Sequence, residues 1–499
     1  MKIRIISVLL VAAVLFSALA ACSDNKSETE TEAPDSAGDT ENAAETEVTD
    51  DLPALDYDGE TVRILSRAFE RYKDELMVDG FTGDVVNDGV YTRSIDVQER
   101  LNVTLDVIKE SPLDSHGPIS MVTKSILSDE DTYDVFVGSM FNSMSSSANG
   151  YWKNMYDVEN INLDKPYWSH YYTEKASIGN NLYAITGDLA FSMIRLLSVT
   201  FFNQQLVESY KLGDLYSVVR DGKWTIDYEI GLIKDIYEDL NGNGKSDKAD
   251  FFGLGTSDTF ATDAYTSSFD LQMLGKDEDN YPTLNVDIDK FATAVGKINE
   301  MCWNTTGVST HAFYGSDDEM NDIARNFSQN QYVFMSSWIF STELQYMRDM
   351  QDDYGILPFP KFDEKQTNYY SYANDQFSVF VIPITVRDDR TPMIGATLEA
   401  MCSQSKKTVL ESYYEIALKS KYSRDSESAE MLDLIVSGFK LDTAWMYCVN
   451  TASLSQNMMR NQIRAKNSNI ASEFAKNEKR YLSSINILIK TFQKNEDKQ

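Results

Sequence analysis

The sequence predicts an α/β protein of two lobes with a helix-rich C-terminal part. Three observations lead there. Apolar segments of strand and helix period alternate between residues 61 and 137, the pattern of a parallel sheet with helices on both faces. The folded part, residues 57–499, is longer than one core serves, because single cores stop growing beyond roughly 250–300 residues. From Pro392 to the C-terminus the apolar spacing is almost entirely helical.

Thr61-Val62-Arg63-Ile64-Leu65 reads as a buried strand. Val90, Ser94, Val97 and Leu101 follow at helical spacing, and Val103, Leu105 and Val107 then alternate as a strand does. Ile119, Val122 and Ile126 suggest a second helix, and Tyr133–Val137 a third strand. In such sheets ligands lie beyond the carboxyl ends of the strands. Ser66-Arg67 and Ser139-Met140-Phe141-Asn142 therefore fall at a candidate cleft. Leu182–Ile185 reads as a strand entering the turn Thr186-Gly187-Asp188, and Ser198–Phe202 as another running into Asn203, where the chain is expected to cross to a second lobe. Residues 204–335 are mostly helical in pattern, with clear candidates at 224–240 and 288–303. A strand Tyr332–Met335 ends in Ser336-Ser337-Trp338. Tyr354–Pro360 follows, and the strand Phe377–Ile382 returns to the first lobe. A charged amphipathic helix over residues 471–492 finishes the chain. There is no internal repeat.

The N-terminus carries processing signals. Lys2 and Arg4 precede an apolar stretch, Ile5–Ala21, that ends in Leu19-Ala20-Ala21-Cys22 and turns abruptly polar, the layout of a secretory signal over residues 1–21. Leu-Ala-Ala-Cys followed by Ser23 resembles the bacterial lipobox, which makes Cys22 the lipidated residue and anchors the chain durably at the outer face of the cytoplasmic membrane. Residues 22–56 are rich in Ser, Thr, Ala, Glu and Asp, too polar to offset their ordering entropy, and read as a disordered tether. Fully extended it reaches on the order of 110 Å. The lobes divide as 57–202 for the first part of lobe 1, 203–335 for lobe 2, and 336–499 for the return to lobe 1 with the C-terminal helices.

The formal net charge of −33 argues against nucleic acid or anionic lipid as a partner, since phosphate recognition needs clustered Lys and Arg. Besides Cys22, the cysteines are Cys302, Cys402 and Cys448, without CxxC spacing; they are expected as buried free thiols, with a single disulfide among them as the alternative.

One motif is sharp. Asp239, Asn241, Asn243, Asp247 and Asp250 fall at positions 1, 3, 5, 9 and 12 of a twelve-residue calcium loop, with Gly244 at position 6 and the Lys245 carbonyl at position 7. Asp250 is one methylene shorter than the usual bidentate Glu. A helix ending at Leu240 would enter the loop and the strand Phe251–Leu254 would leave it, half an EF-hand holding a structural calcium. The plain alternative is an Asn/Gly-rich turn without metal. Gly244-Lys245-Ser246 is not a phosphate loop, because Asp239 stands where the upstream glycine belongs.

The chain as a whole resembles the bacterial extracellular solute-binding proteins of family 1, the substrate-capturing lipoproteins of carbohydrate-type ABC transporters. The residues that carry the resemblance are the lipobox at Cys22, the acidic tether, Tyr183–Asp188, Thr200-Phe201-Phe202-Asn203, Trp224-Thr225 ahead of the calcium-like loop, and Tyr354–Pro360, in the family's order. The resemblance implies a two-lobed periplasmic-binding-protein-like fold of type II style, with a hinge that closes on a sugar or oligosaccharide. It also implies a monomer that docks on ABC permease subunits and has no catalytic role. Sugars in such sites are stacked on aromatic faces and held by Asp, Asn and Arg. By position after strands the candidate ligand-binding residues are Arg67, Met140, Asn142, Asp188, Trp338, Asn374, Asp375 and Trp445. Each also has a plain structural reading, Trp338 as core and Asp188 as a turn residue.

Two rivals stand beside this reading. One is a surface glycoside hydrolase using two carboxylates, which 78 acidic residues neither favour nor exclude. The other is a binder of a peptide-type solute. There is no HExxH or GxSxG motif, and His116, His170 and His311 are widely spaced. A binder would leave its ligand chemically unchanged.

Overall fold

The computed structural model describes residues 49–114, 116–311 and 318–496, and residues 48–499 form one compact unit. The expectations for the signal segment, Cys22 and the tether up to residue 48 lie outside the described residues. The tether's last residues do not hang free. Asp50 takes a two-pronged ion pair from Arg100 at 2.6–2.7 Å, Asp51 pairs with Lys165 at 2.7 Å, and Leu52 and Leu55 pack on the core.

The first lobe is built on a four-stranded sheet of order β12-β3-β1-β2. Its strands are β1 (Glu60–Arg67), β2 (Val103–Glu110), β3 (Val135–Ser139) and β12 (Ser378–Val381). β1 pairs in parallel with β2 and β3, and β12 closes the sheet antiparallel to β3. β2, at the edge, alternates buried Val103 and Leu105 with exposed Thr104 and Asp106, whereas every residue of the inner β3 is buried. That is why one strand reads as an alternation and the other as an apolar run. Helix α1 (Val85–Leu101) starts at the Asp84 cap and ends where Asn102 takes the left-handed conformation, which turns the chain straight into β2. Helix α2 (Ile119–Leu127) leads to β3, and Ser139 at that strand's end caps the short helix α3 (Met140–Ser146).

The second lobe is built on a six-stranded sheet, β11-β4-β10-β6-β5 with β9 beside β6. Here β4 is Ser198–Asn203, β5 Tyr237–Glu238, β6 Phe251–Ser257, β9 Val308–His311, β10 Tyr332–Trp338 and β11 Tyr354–Pro358. A separate hairpin pairs β7 (Leu274–Lys276) with β8 (Pro282–Leu284). β6, β9 and β10 run parallel, so their carboxyl ends share an edge. Thr225 caps helix α4 (Ile226–Ile233), and the preceding Trp224 is fully buried, its indole N–H donating to the Pro358 carbonyl at 2.9 Å.

Three sequence expectations give way here. Ser198–Phe202 belongs to the second sheet, not the first lobe, and β11 lies there too, after the point where the return was expected. Leu182–Ile185 makes one isolated bridge, Ile185 with Phe380, rather than a strand, and the Leu182 carbonyl accepts the Met155 N–H at 2.7 Å. The helix expected over 224–240 stops at Ile233, and Tyr237–Glu238 turns back to pair with Phe251–Phe252. The calcium-like loop is therefore a hairpin connection between strands, without an incoming helix.

The lobes are joined by crossing segments that hydrogen-bond side by side. Residues 196–198 run against 372–374, with Ser198 N–H donating to the Tyr372 carbonyl at 2.8 Å and Asn374 N–H to Leu196 at 3.0 Å. On the other side of this strip Ser371 N–H donates to Gly438 at 2.8 Å and Lys440 N–H to Ser371 at 2.9 Å. The third crossing leads from helix α8 (Ser426–Ser437), packed on β11, to helix α9 (Thr443–Met446), packed on α3.

Candidate functional site

The parallel strands of both sheets end towards the crossing segments, and the residues just beyond them meet there. From the first lobe, Phe69, Arg71 and Tyr72 follow β1. From the second, Asp258 and helix α5 (Phe260–Ser268) follow β6, and Trp338 with Phe340 ends β10. The walls touch. The Arg71 guanidinium lies 5.2 Å from the Trp338 ring and 4.8 Å from that of Phe340, and Phe260 packs against Trp338 at 5.0 Å. The crossing strip supplies Tyr372, Asn374 and Asp375, and Trp445 of α9 packs edge-on to Tyr372 at 5.8 Å. Phe141 N–H donates to the Asp375 carbonyl at 3.0 Å, which ties the end of β3 to the same strip.

The charges are arranged in pairs. Asp263, with no exposed surface, is held by Arg460, whose guanidinium lies 5.8 Å from the Trp445 ring, and Arg464 reaches Asp258 at 3.5 Å. Burial pushes the Asp263 carboxyl up to about 6, Arg460 opposing it and Asp375 and Asp258 adding to it. Burial, with Asp375 and Asp263 beside it, also drives the Tyr372 hydroxyl well above its ordinary range. Several buried polar atoms here have no hydrogen-bond partner among the described residues: the indole N–H of Trp338 and of Trp445, the Tyr372 hydroxyl and Gln376 Oε1. A buried polar atom without a partner costs about 1–3 kcal/mol, so such a cluster is kept where something else satisfies it. Aromatic faces, unpartnered donors and paired charges suit a polar ligand that offers both hydroxyls and a weakly polar ring face.

The sequence-predicted residues divide. Trp338, Asn374, Asp375 and Trp445 come together at this cleft. Arg67 stands beneath it, stacked on the Tyr72 ring at 3.4 Å and donating to the Gln376 carbonyl at 2.7 Å and Ser378 Oγ at 2.6 Å. It holds the strip rather than facing a ligand. Gly117, at φ +77°, packs against it, and a Cβ there would sit 2.4 Å from Arg67 Cγ. Met140 is wholly buried, and Asn142 donates to the His116 carbonyl at 3.3 Å. Asp188 lies elsewhere, beside Cys402 and Lys406 on helix α7 (Thr391–Lys407), where burial pushes its carboxyl up to about 7. Sequence reasoning missed Arg71, Asp258, Phe260, Asp263, Tyr372 and Arg460. Asp258 and Phe260 follow a strand that was itself legible, so the after-strand rule would have found them. Nothing local marks Arg460.

The loop of residues 239–250 lies at the other end of β6 from the cleft. Asp239 accepts Gly242 N–H at 2.7 Å and Gly244 N–H at 2.8 Å, Asn241 accepts Asn243 N–H at 3.0 Å, and Asn243 accepts Lys245 N–H at 2.7 Å. The amides of Asn241 and Asn243 donate to Asp247. Asp250 is fully buried. Its Oδ2 takes the Asp247 N–H at 3.0 Å and the Tyr237 hydroxyl at 3.1 Å, while its Oδ1 has no partner among the described residues. No group of three His, Cys, Asp or Glu side chains among the described residues is drawn together as a metal centre. The unpartnered buried Asp250 oxygen fits a cation, and the Asn241 and Asn243 amides would have to swing from Asp247 to complete its shell.

No protein-family model and no curated protein matches the chain. Solved structures do match its fold. One is UgpB from Mycobacterium tuberculosis in complex with glycerophosphocholine, 11% identical, with a TM-score of 0.53 over 79% of this chain and 94% of that one. Another is a family 1 extracellular solute-binding protein from Bifidobacterium longum subsp. infantis, 11% identical, with a TM-score of 0.51 over 87% of this chain and 100% of its own. A third is an ABC transporter solute-binding protein from Thermotoga lettingae bound with α-D-tagatose, 10% identical, with a TM-score of 0.51 over 86% and 100%. The two-lobed α/β fold expected from the sequence is the fold this chain shares with them.

Proposed function

We propose that this chain captures a sugar or short oligosaccharide in the cleft between its lobes and hands it, chemically unchanged, to the membrane subunits of an ABC importer. The observation that carries the reading is the buried cluster of aromatic rings and unpartnered polar atoms where the two lobes meet. Trp338, Trp445 and Tyr372 bring aromatic faces and unpartnered donors to one place, over a strip of crossings about which two lobes can close. The likeness of fold supports it, since two of these solved structures are solute-binding proteins, one of them bound with α-D-tagatose, and the third holds glycerophosphocholine. The carboxylates favour binding over glycoside hydrolysis, because Asp263 and Asp258 are engaged by Arg460 and Arg464 rather than set as a free acid and base across a scissile bond. The protein works as a monomer outside the cell, held at the membrane by a lipidated Cys22.

Calcium belongs to the same proposal as a structural ion in the 239–250 loop, on the strength of the unpartnered Asp250 oxygen. There Asp239, Asn241, Asn243, Asp247 and Asp250 with the Lys245 carbonyl would hold it, and it would lock the β5–β6 connection. Chelation should lower the melting temperature more than it weakens solute binding, and the reverse order would sink the structural role.

The test is a thermal-shift screen of the 48–499 unit against mono- and oligosaccharides, amino acids and peptides, with and without calcium. A ligand at 100 times its dissociation constant adds about 2.7 kcal/mol. A sugar that raises the melt and is recovered intact supports the reading. A response to peptides alone discards the carbohydrate, and a cleaved product turns the protein into an enzyme.

A further inference from the structure

The C-terminal helix α10 (Ile470–Glu496) carries its charges unevenly. At 27 residues it is about 40 Å long, and it buries Tyr481, Ile485, Leu488 and Phe492. On the outward stripe of the helix, centred on Ser483, fall Lys476, Lys479, Arg480, Lys490 and Lys494, and no acidic residue. Glu478 falls elsewhere on the wheel, and Glu473 sits at the stripe's margin, 3.9 Å from Lys476. Neither Lys479 nor Lys490 forms an ion pair among the described residues. Between them Leu482 and Ile487 stand 41% and 63% exposed, and with Ser483 and Asn486 the six line a shallow groove of about 450 Å³.

This is an island of positive charge on a chain of net charge −33. The overall charge speaks against anionic lipid, but beyond a Debye length of about 8 Å in physiological salt the remote acids are screened. A surface pressed against the stripe meets the lysines first. Clustered basic side chains on the outward face of a helix, with exposed apolar side chains beside them, suit a surface of anionic lipid headgroups.

We propose that the outward stripe of α10 is a docking surface for an anionic lipid bilayer. Lys476, Lys479, Lys490 and Lys494 meet the headgroups, and Ile487 on the stripe, with Leu482 at its flank, enters the boundary between headgroups and acyl chains. The acidic remainder of the molecule is repelled by the same surface, so the contact sets which side of the protein faces the membrane. The lysines give the attraction and the two apolar side chains give the depth.

The experiment is flotation of the 48–499 unit, which carries no lipid, with vesicles of phosphatidylglycerol and of phosphatidylcholine at low and high ionic strength. Binding to phosphatidylglycerol alone, weakened by salt, is expected. The K479E/K490E variant should lower the partition constant by roughly tenfold or more, and I487S should weaken binding without changing charge, both at unchanged melting temperature. Absence of binding to phosphatidylglycerol at low ionic strength overturns the proposal, as does binding that survives both variants. Binding to polyglutamate without binding to vesicles also overturns it, and reassigns the stripe to an acidic protein face.

Discussion

Glu229 offers a test of how the interior of the second lobe is electrostatically arranged. It lies in the first turn of α4 with no exposed surface, and neither carboxylate oxygen has a hydrogen-bond partner among the described residues. Burial alone pushes its carboxyl from the ordinary 4.5 up to about 8. The folded protein therefore keeps the proton over a range in which the unfolded chain has released it. In that window the unfolded state binds fewer protons, so the stability is fully present below pH 4.5 and is lost as pH rises towards 8. The loss runs at about 1.4 kcal/mol per pH unit and amounts to about 3 kcal/mol by pH 7. Glu229→Gln keeps the shape and removes the titration. Its amide has a desolvation cost of its own, but one that does not vary with pH. The measurement is urea unfolding of wild type and variant, followed by tryptophan fluorescence from about pH 5 to about pH 8. The difference between them should move in the variant's favour by about 3 kcal/mol or more across that range. A difference that stays flat with pH would refute the neutral buried acid.

Other outcomes follow from the cleft and the core. Arg460→Met leaves Asp263 buried without its partner and should cost about 3–5 kcal/mol of stability, with much of it recovered in D263N/R460M, as read by thermal melts. Tyr372→Phe removes a hydroxyl that no group among the described residues satisfies, so the melt should hold or rise while solute affinity falls by about 0.5–1.5 kcal/mol in calorimetry. A drop in both would mean the hydroxyl serves the fold. Cys302, Cys402 and Cys448 are buried free thiols, and burial pushes Cys302 up to about 12. A thiol reagent should label them only after denaturant is added, and fast labelling of the native protein would contradict the packing.

Much of the first lobe was legible because its signals are local. β2 alternates, α1 repeats Val90, Val97 and Leu101 on one face, and a cap and a left-handed Asn102 mark its ends. Sheet membership is not local. Ser198–Phe202 has the same apolar character as β3, and only its pairing with β10 and β11 assigns it to the second lobe. The 224–240 stretch has a helix's apolar stripe, yet pairing of Tyr237 with Phe252 outweighs propensity at its end. The site follows the same division. Trp338 and Asp375 were found because they follow or precede a strand, whereas Asp263 and Arg460 are 197 residues apart and become neighbours only through the fold. Arg67 sits where the after-strand rule puts it, but its guanidinium is spent on Gln376 and Ser378, a use that no spacing announces.

The way the chain weaves between the lobes has a consequence for how the molecule is made. β1 is among the first folded residues to be synthesised, and the edge that completes its sheet is β12, whose Ser378 binds Arg67 across 311 residues of chain. Tyr57 reaches the Pro392 carbonyl across 335. Until some three-quarters of the polypeptide exists, β3, whose every residue is buried in the finished fold, has an open flank. Contacts of such separation make folding slow, since the loop must close before the contact rewards it. Nascent first lobe is therefore an incomplete, adhesive intermediate, and the chain suits a cellular route that keeps it extended and chaperoned until its last third has been made.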